Sequence, residues 1–570
     1  MSKTTIQQVS FASGEVTPFI YGRIDRDIYF NGGQALRNVR VSPLGGVVKR
    51  EGTKYITNTT GDAKARLIGF QFNVEQTYLL VFTAGEFKVY KDGVLQATIT
   101  SSPISTLTLS IIKAMNFTQS ADTLILVHPD IPPIRITRTS DTAWTAGNIS
   151  ISGIPTYDFG SGNEAVWSST RGWPRSVTFW QQRLWFGGSK SRPQTIWGSK
   201  ISGFFDFALG SSLDADGIEV TIDDDEVNAV INIFAARTLQ IFTTGGEFFT
   251  PISLTSALTP KTIRIEKSTR HGTSTVRPIN NDGATVFVDR SGGVVREYVF
   301  LDVEQSYITE DISFISAHLI KNPVTCAIQR SSPLAGEYSY FVNDDGTMAV
   351  LSRRRSQSFL AWTLFETDGE YEDIAIIDDE VYVLVKRIVD GDTVRFIEKF
   401  DPEYYTDAGT IITVGTPATA WTGINYLEGK AVNVRSQIGY PLLVNSVSSG
   451  GITTESLQTS IEVGLQFTVK VRTLPPEVQG KNVMIGEKRR ILSVNFNLNN
   501  TNVFNVSTEN NNYRVSLNTI GNVALNQPLD KYTGWKRMYC RGISRQPYIE
   551  VTQSAPLDLH ILSLAMEVTL

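Results

Sequence analysis

Apolar and polar residues alternate along most of this chain with a period of two, the spacing that sends successive side chains to opposite faces of a strand. No window of eleven or more residues carries a capped i, i+3, i+4, i+7 apolar stripe, so helices are expected to be nearly absent. The recurring unit is a short apolar strand, a turn containing Gly or Asp, and a second strand. Residues 79–82, the turn Thr83-Ala84-Gly85-Glu86 and residues 87–90 form the first clear case. The same shape returns at 122–138, 183–200, 238–253, 284–300, 337–353 and 380–400.

The seven units begin near 76, 122, 183, 237, 283, 337 and 379, an irregular period of about fifty residues. Antiparallel repeats of that length predict a β-propeller. One small sheet cannot cover both of its faces, whereas blades stacked around an axis cover one another. A run of β-sandwiches is the rival reading, and the recurring texture of the units favours the propeller. The expectation is an all-β chain with a propeller of about six or seven blades over 76–401. Residues 1–75 and 402–570 lack the texture and read as flanking β-sandwich or barrel-like modules. In the second of these, 423–453 reads as strands split by Gly439-Tyr440-Pro441 and Gly450-Gly451 turns. Residues 495–512 hold nine Asn in eighteen positions and read as strands ending in a long exposed loop.

Composition narrows the function. With 570 residues, 41% hydrophobic and 19% charged, the chain can bury a core and is not a disordered protein. A net charge of −5 gives no overall pull on nucleic acid, so binding to duplex DNA should be weak with a shallow salt dependence. No apolar run approaches a membrane span, and the opening Met-Ser-Lys-Thr-Thr-Ile-Gln-Gln has no signal core, so folding is expected where the chain is made. Cys326 and Cys540 read as two free core thiols, with one disulfide as the alternative. Neither they nor the four histidines fall at metal-ligand spacing, so no metal and no cofactor is expected.

Candidate chemistry is thin. Asp214, Asp216, Asp223, Asp224, Asp225 and Glu226 could bind calcium or act as an acid/base pair, but the spacing fails a calcium loop and a polar turn is the simpler reading. Asp344-Asp345-Gly346 and Asp390-Gly391-Asp392 read as hairpin tips. His271 has no nucleophile signature beside it, and Arg353-Arg354-Arg355 reads as a solvated edge or an interface. No catalytic set stands out, and the chain is not expected to be an enzyme.

The most specific signal is residues 9–56. Phe11, Gly14 and Glu15, then Gly22, Arg23 and Asp25, then Asn38 and Val39, and finally Gly45, Gly46, Arg50, Gly52, Thr53 and Tyr55 resemble the opening motifs of tail nozzle proteins of short-tailed phages, the tail tubular protein B family. Glu51 stands where that family usually has proline. Segments 173–207, 295–320 and 534–568 are similar to the same family, in the same order.

The resemblance implies a platform of N- and C-terminal strands, a propeller and further β-modules. It further implies a structural virion protein made in the bacterial host cytoplasm, one subunit of a homo-hexameric tail nozzle serving DNA retention and ejection. Its implied partners are the adaptor ring, tail fibres or tailspikes, genomic DNA passing through the lumen, and the host outer surface at the tip. A carbohydrate-binding or glycan-processing propeller is the alternative, since nine Trp and twenty Tyr could stack on sugars. A generic propeller scaffold is the third.

Physically, the motif glycines serve turns, and Arg23 and Asp25 should pair across a strand on one face. Phe11, Gly14, Glu15, Gly22, Arg23, Asp25, Asn38, Gly45, Gly46, Arg50, Gly52 and Thr53 are the assembly candidates. Arg23, Asp25 and Arg50 are expected on a subunit contact face, and deletion of 1–56 is expected to leave a folded monomer.

Overall fold

The computed structural model describes residues 3–251, 258–331, 336–443, 446–478, 486–509, 511–515, 517 and 527–569. The chain is all-β. Its longest α-helix among the described residues is the six-residue Leu109–Ala114.

Each of the seven hairpins seen in the sequence is the middle pair of a four-stranded antiparallel blade; five blades are separate sheets, and the last two run on into larger ones. The first sheet runs Arg66–Gln71, Thr77–Thr83, Glu86–Lys91 and Val94–Ile99, each strand pairing with the next. The second starts at Asn116–Ser120, the third at Ser176–Trp180 and the fourth at Val230–Ala235. The fifth starts at Ile279–Asn281, the sixth at Pro323–Gln329 and the seventh at Glu370–Ile377. First strands of neighbouring sheets pack on each other from sheet two to four and from sheet five through seven to one.

Closure of that ring is visible in its cores. Ile68, Leu80, Leu124 and Leu126 join sheets one and two, and Val127, Val177 and Phe186 join two and three. Trp185, Ile196, Val230 and Ile241 join three and four, and Phe242, Phe287 and Tyr298 join four and five. Val286, Val288, Phe341 and Trp362 join five and six, and Tyr340, Val350, Ile374 and Val383 join six and seven. The last interface, built from Leu67, Val81, Ala375 and Leu384, returns from seven to one. Seven sheets with seven apolar interfaces make a closed propeller, so neither face of any blade is left to water.

Its seventh blade is completed from the other end of the sequence. Glu370–Ile377, Glu380–Val389 and Asp392–Asp401 supply three strands, and Gly52–Asn58 adds the fourth in the register Asp401↔Gly52 to Phe396↔Asn58. The propeller strands therefore occupy 52–58 and 66–401, where the hairpin pattern alone marked 76–401.

The remaining strands form two bodies. In a β-sandwich, Lys3–Gln8 pairs with His560–Thr569, which pairs with Arg490–Thr501. The facing sheet joins Gly32–Arg37, Val469–Thr473, Glu550–Gln553 and Phe504–Thr508, and it continues blade six through Arg37↔Leu364. Phe11, Leu36, Val494, Phe496, Val551 and Leu564 fill the space between the sheets. The second body pairs Asp407–Thr422 with Gly451–Leu465 over Trp421, Ile424, Leu427 and Val463. It joins the blade-seven strand at Gly409↔Lys54.

The Asn-rich segment departs from expectation. The expected strands are present as Arg490–Thr501, Phe504–Thr508 and Asn511–Val515, and strand continues through Asn511 and Asn512, where a loop is expected. The asparagines alternate with buried Val494, Phe496 and Leu498, so strand pairing and core contact hold the segment. Asn510, and residues 252–253 and 444–445 of the other segments read as strands, lie outside the described residues. Asp390 and Gly391 take φ of 50° and 85°, the left-handed pair that a two-residue hairpin turn needs.

Candidate functional site

The motif block of residues 9–56 is mostly interior. Phe11 is fully buried in the sandwich core. Gly14 takes a φ of +67°, and a Cβ there would lie 2.4 Å from the Trp362 backbone nitrogen. The buried Glu15 carboxylate accepts from the Leu36 amide at 2.7 Å and pairs with Arg37 and His318, both at 2.9 Å. Gly45 takes a φ of +103° in the hairpin loop between Val39–Val41 and Val47–Lys49, and Gly46 lies against His560 and Ile561.

Arg50, expected on a contact face, is instead wholly enclosed. Its Nη1 and Nη2 grip the two Asp407 carboxylate oxygens at 2.8 and 2.7 Å, and neither side chain is exposed. Nε donates to Asn38 Oδ1 at 2.9 Å, Nη1 to the Glu51 carbonyl at 2.9 Å and Nη2 to the Glu366 carbonyl at 3.1 Å. All five N–H donors are therefore satisfied. The Phe467 ring lies 3.8 Å below the guanidinium carbon. Asn38 adopts a φ of 55° to place its amide, which also receives the Glu366 N–H and donates to the Thr468 carbonyl. One guanidinium thus ties together the sandwich, the link between blades six and seven, and the body that begins at Asp407.

A second buried pair lies next to it. Arg387 grips Glu398 through two bonds of 2.8 and 2.9 Å, both side chains being fully buried. Thr53 donates to Glu398 at 2.5 Å and accepts the Ala408 amide at 2.9 Å. Gly52 is required here because a Cβ would lie 2.2 Å from the Thr406 carbonyl oxygen. Tyr55 stacks on Tyr426 with ring centroids 3.8 Å apart. Sequence reading missed Asp407, Arg387 and Glu398. The signal available was a charge inside an apolar strand, as in Val383–Val389 around Arg387.

Lys49 sits beside this junction. Its ammonium donates to the Ala555 and Leu557 carbonyls at 2.8 and 3.2 Å and lies 4.8 Å from the Phe467 centroid. Burial, and after it the neighbouring Arg50 charge, push its pKa down to about 7. Between that value and the ordinary value of about 10.4, the unfolded chain binds more protons than the folded one. Stability should therefore rise from about pH 7 to about pH 9, by up to about 1.4 kcal/mol per pH unit. Urea midpoints across that range should show the rise in the native sequence and a flat profile in Lys49→Met.

Only Gly22, Arg23 and Asp25 of the candidates are at the surface. Arg23 donates two 2.8 Å bonds to Asp25, and both side chains are more than half exposed. They lie in a turn, not on a strand as expected, because Gly22 to Arg26 follow a short 3₁₀ turn. Those bonds hold the Asp25 carboxyl down to about 2. Thr17 N–H bonds to the Ile315 carbonyl at 2.7 Å, placing exposed Phe19 and Phe314 on neighbouring turns. Phe19, Arg23 and Asp25 are among the exposed residues of the motif block, and Phe314 is exposed on the turn beside Phe19.

The other candidates settle into structural roles. Asp224 pairs with Lys267 and accepts from Asn228 in the link between blades three and four. Arg183 donates to the Asp214 and Asp216 carbonyls, and Arg353 and Arg355 pair with the buried Glu297. His271 meets Glu247 through its backbone N–H. No group of three metal-ligating side chains occurs among the described residues. Cys326 and Cys540 are both free thiols; Cys540 is in the core, whereas Cys326 is partly exposed.

No family model and no curated protein matches the sequence. Among solved structures, the chain is similar to the RRP9 WD40 repeats, with a TM-score of 0.38, 8% identity and coverage of 62% of this chain and 99% of that one. It is similar to U3-55K with a TM-score of 0.36, 7% identity and coverage of 61% and 99%. BBS1N, in a complex with ARL6DN, has a TM-score of 0.36, 8% identity and coverage of 62% and 98%. Likenesses this distant carry no functional weight, and the propeller rests on its own closed ring of blades.

Proposed function

We propose that this chain is a structural virion protein, one subunit of a homo-hexameric tail nozzle of a short-tailed phage. The observation that carries the reading is the joining of the two chain ends. Strands from the two ends of the chain, Lys3–Gln8 and Gly32–Arg37 with Val469–Thr473, Arg490–Thr501 and His560–Thr569, which include parts of the first and last segments resembling that family, combine into one sandwich beside the propeller. That is the platform-and-propeller plan the resemblance implies. A closed ring needs two different complementary faces on each subunit. The exposed Phe19, Arg23, Asp25 and Phe314 are the candidates for one of them.

In this reading the adaptor ring lies above, fibres or tailspikes attach at the side, and the tip meets the host surface. The net charge of −5 suits a conduit, since a wall without excess cations does not trap a phosphate backbone. Electron microscopy of the purified protein, alone and added to particles lacking this subunit, tests the proposal. The expected result is a sixfold ring with a central opening. Phe19→Asp combined with Arg23→Glu should abolish the ring and leave thermal unfolding unchanged. A protein that forms no ring in either setting overturns it.

One observation favours the carbohydrate-binding alternative. Along Tyr532–Tyr539 the exposed Trp535 and Tyr539 flank Arg537, and Asn497 and Asn495 lie opposite Trp535 and Arg537 on the neighbouring strand. Aromatic rings beside amide side chains can stack on and bond to sugars. Retention on immobilised host glycans, lost in Trp535→Ala, would support that second reading.

A further inference from the structure

Polar side chains from several blades converge at the propeller axis. Asn116, on the first strand of blade two, donates to Asn232 on the first strand of blade four at 2.7 Å, and Asn232 donates to the Val276 carbonyl at 3.2 Å. Arg66 opens blade one, Arg277 precedes the first strand of blade five, and both guanidinium groups lie over the Phe117 ring of blade two, at 5.7 and 4.4 Å. Cys326 of blade six donates to the Arg277 carbonyl. These groups are deep in the ring, yet Arg66, Asn116, Phe117, Arg277 and Cys326 each keep part of their surface accessible. Partial exposure this deep in the ring points to an open axis, as propellers have, in place of a packed core.

The charges in this channel do not balance. Among the described residues, neither Arg66 nor Arg277 forms an ion pair. Arg66 is anchored by Nη1 alone, to the carbonyls of Ile112, Lys113 and Met115. The nearby Asp373 carboxylate, held by the Leu67 and Ile374 amides at 2.7 and 2.8 Å, acts on Arg66 through space without forming an ion pair, so Arg277 is the guanidinium left without a counter-charge. Arg50 and Arg387, by contrast, are each tied to a carboxylate, Arg50 with five bonds in all and Arg387 through a bidentate pair. Arg277 has only the face of Phe117.

We propose that the axial channel binds one small oxyanion, held by Arg277 and Arg66 with the Asn116–Asn232 pair beside it. A guanidinium removed from bulk water with no counter-charge is unfavourable, and a bound anion removes that penalty. The planar fork of arginine matches two oxygens of a carboxylate or a phosphate, and two guanidinium groups gathered at one ring raise the positive potential there. Burial first, and Arg66 second, bring the Arg277 pKa down to about 10, as expected of a cation waiting for a counter-ion. The shared chemistry is that of an oxyanion, tetrahedral or planar.

Thermal unfolding and calorimetric titration of the full chain test the site, with sodium phosphate, sulfate or acetate replacing chloride at constant ionic strength. A saturable rise in Tm with a one-to-one stoichiometry is expected from at least one anion, since a ligand of the folded state stabilises it by mass action. Phosphate and sulfate acting without acetate would define a tetrahedral site, and acetate alone a carboxylate site. Arg277→Gln should weaken binding at least tenfold, Arg66→Gln should weaken it too, and Arg277→Lys should retain part of it. Arg264→Gln, which alters an exposed arginine paired with Glu266, should change nothing. No saturable response to any of the three anions, or an equal response in Arg277→Gln and Arg66→Gln, overturns the proposal.

Discussion

A chain lacking residues 1–58 should have no cooperative thermal transition and should expose apolar surface to a hydrophobic dye. The deletion removes Gly52–Asn58, the outer strand of blade seven, and bares the edge of its neighbour from Phe396 to Asp401. It also takes Lys3–Gln8 and Gly32–Arg37 from the two sheets of the sandwich, leaving Val494, Phe496 and Val551 partly uncovered. Asp407 would lose Arg50 while still buried, which alone costs about 3–5 kcal/mol. That is a large part of the roughly 5–15 kcal/mol by which a domain is stable. Reading the segment by its glycines and charges leads to the opposite expectation, a folded monomer with an assembly arm removed. The strand pairing reverses that expectation, because this segment is wall and not arm. Circular dichroism in the near ultraviolet and calorimetry decide the matter. A soluble monomer with a single transition near the full-length Tm would refute the closure role of Gly52–Asn58.

Arg50→Ala and Asp407→Ala should each destabilise the protein by about 3–5 kcal/mol, since each leaves one charge buried without its partner. Replacing both, as Arg50→Met with Asp407→Leu, should recover most of the loss, because the desolvation penalty goes with the charges. Urea midpoints of the three variants measure the coupling, and additive losses would contradict it. The pair also has a pH signature. Burial by itself would raise the Asp407 carboxyl, but Arg50, and then Arg387 and Thr367, outweigh burial and hold it below its ordinary value. A depressed carboxyl contributes stability that is complete above the unfolded value, about 3.9, and is lost as pH falls through the folded one. Acid unfolding should therefore begin below about pH 4 in the native sequence. The Arg50→Met, Asp407→Leu double variant should lose less stability on the same titration.

The local part of the fold is legible in the chain. The middle hairpin of every blade could be read because its strands are adjacent, apolar on both faces and joined by turns such as Asp390-Gly391, whose positive φ values chemistry demands. The first strands of the blades were harder to see. Asn116–Ser120 is short and Ile279–Asn281 shorter still, and both carry polar residues because they face the axis, so neither produces an apolar alternation. The tertiary structure alone decided which distant segments meet. Arg50 and Asp407 are 357 positions apart, and Gly52 finds the Thr406 carbonyl only after the ring has closed. No periodicity encodes such a pairing, because a strand's pattern sets which face is buried and not which edge it joins. Charge alone misplaces Arg50 in the same way: a guanidinium reads as surface until five acceptors from three separate bodies surround it, and only the folded chain brings those acceptors together.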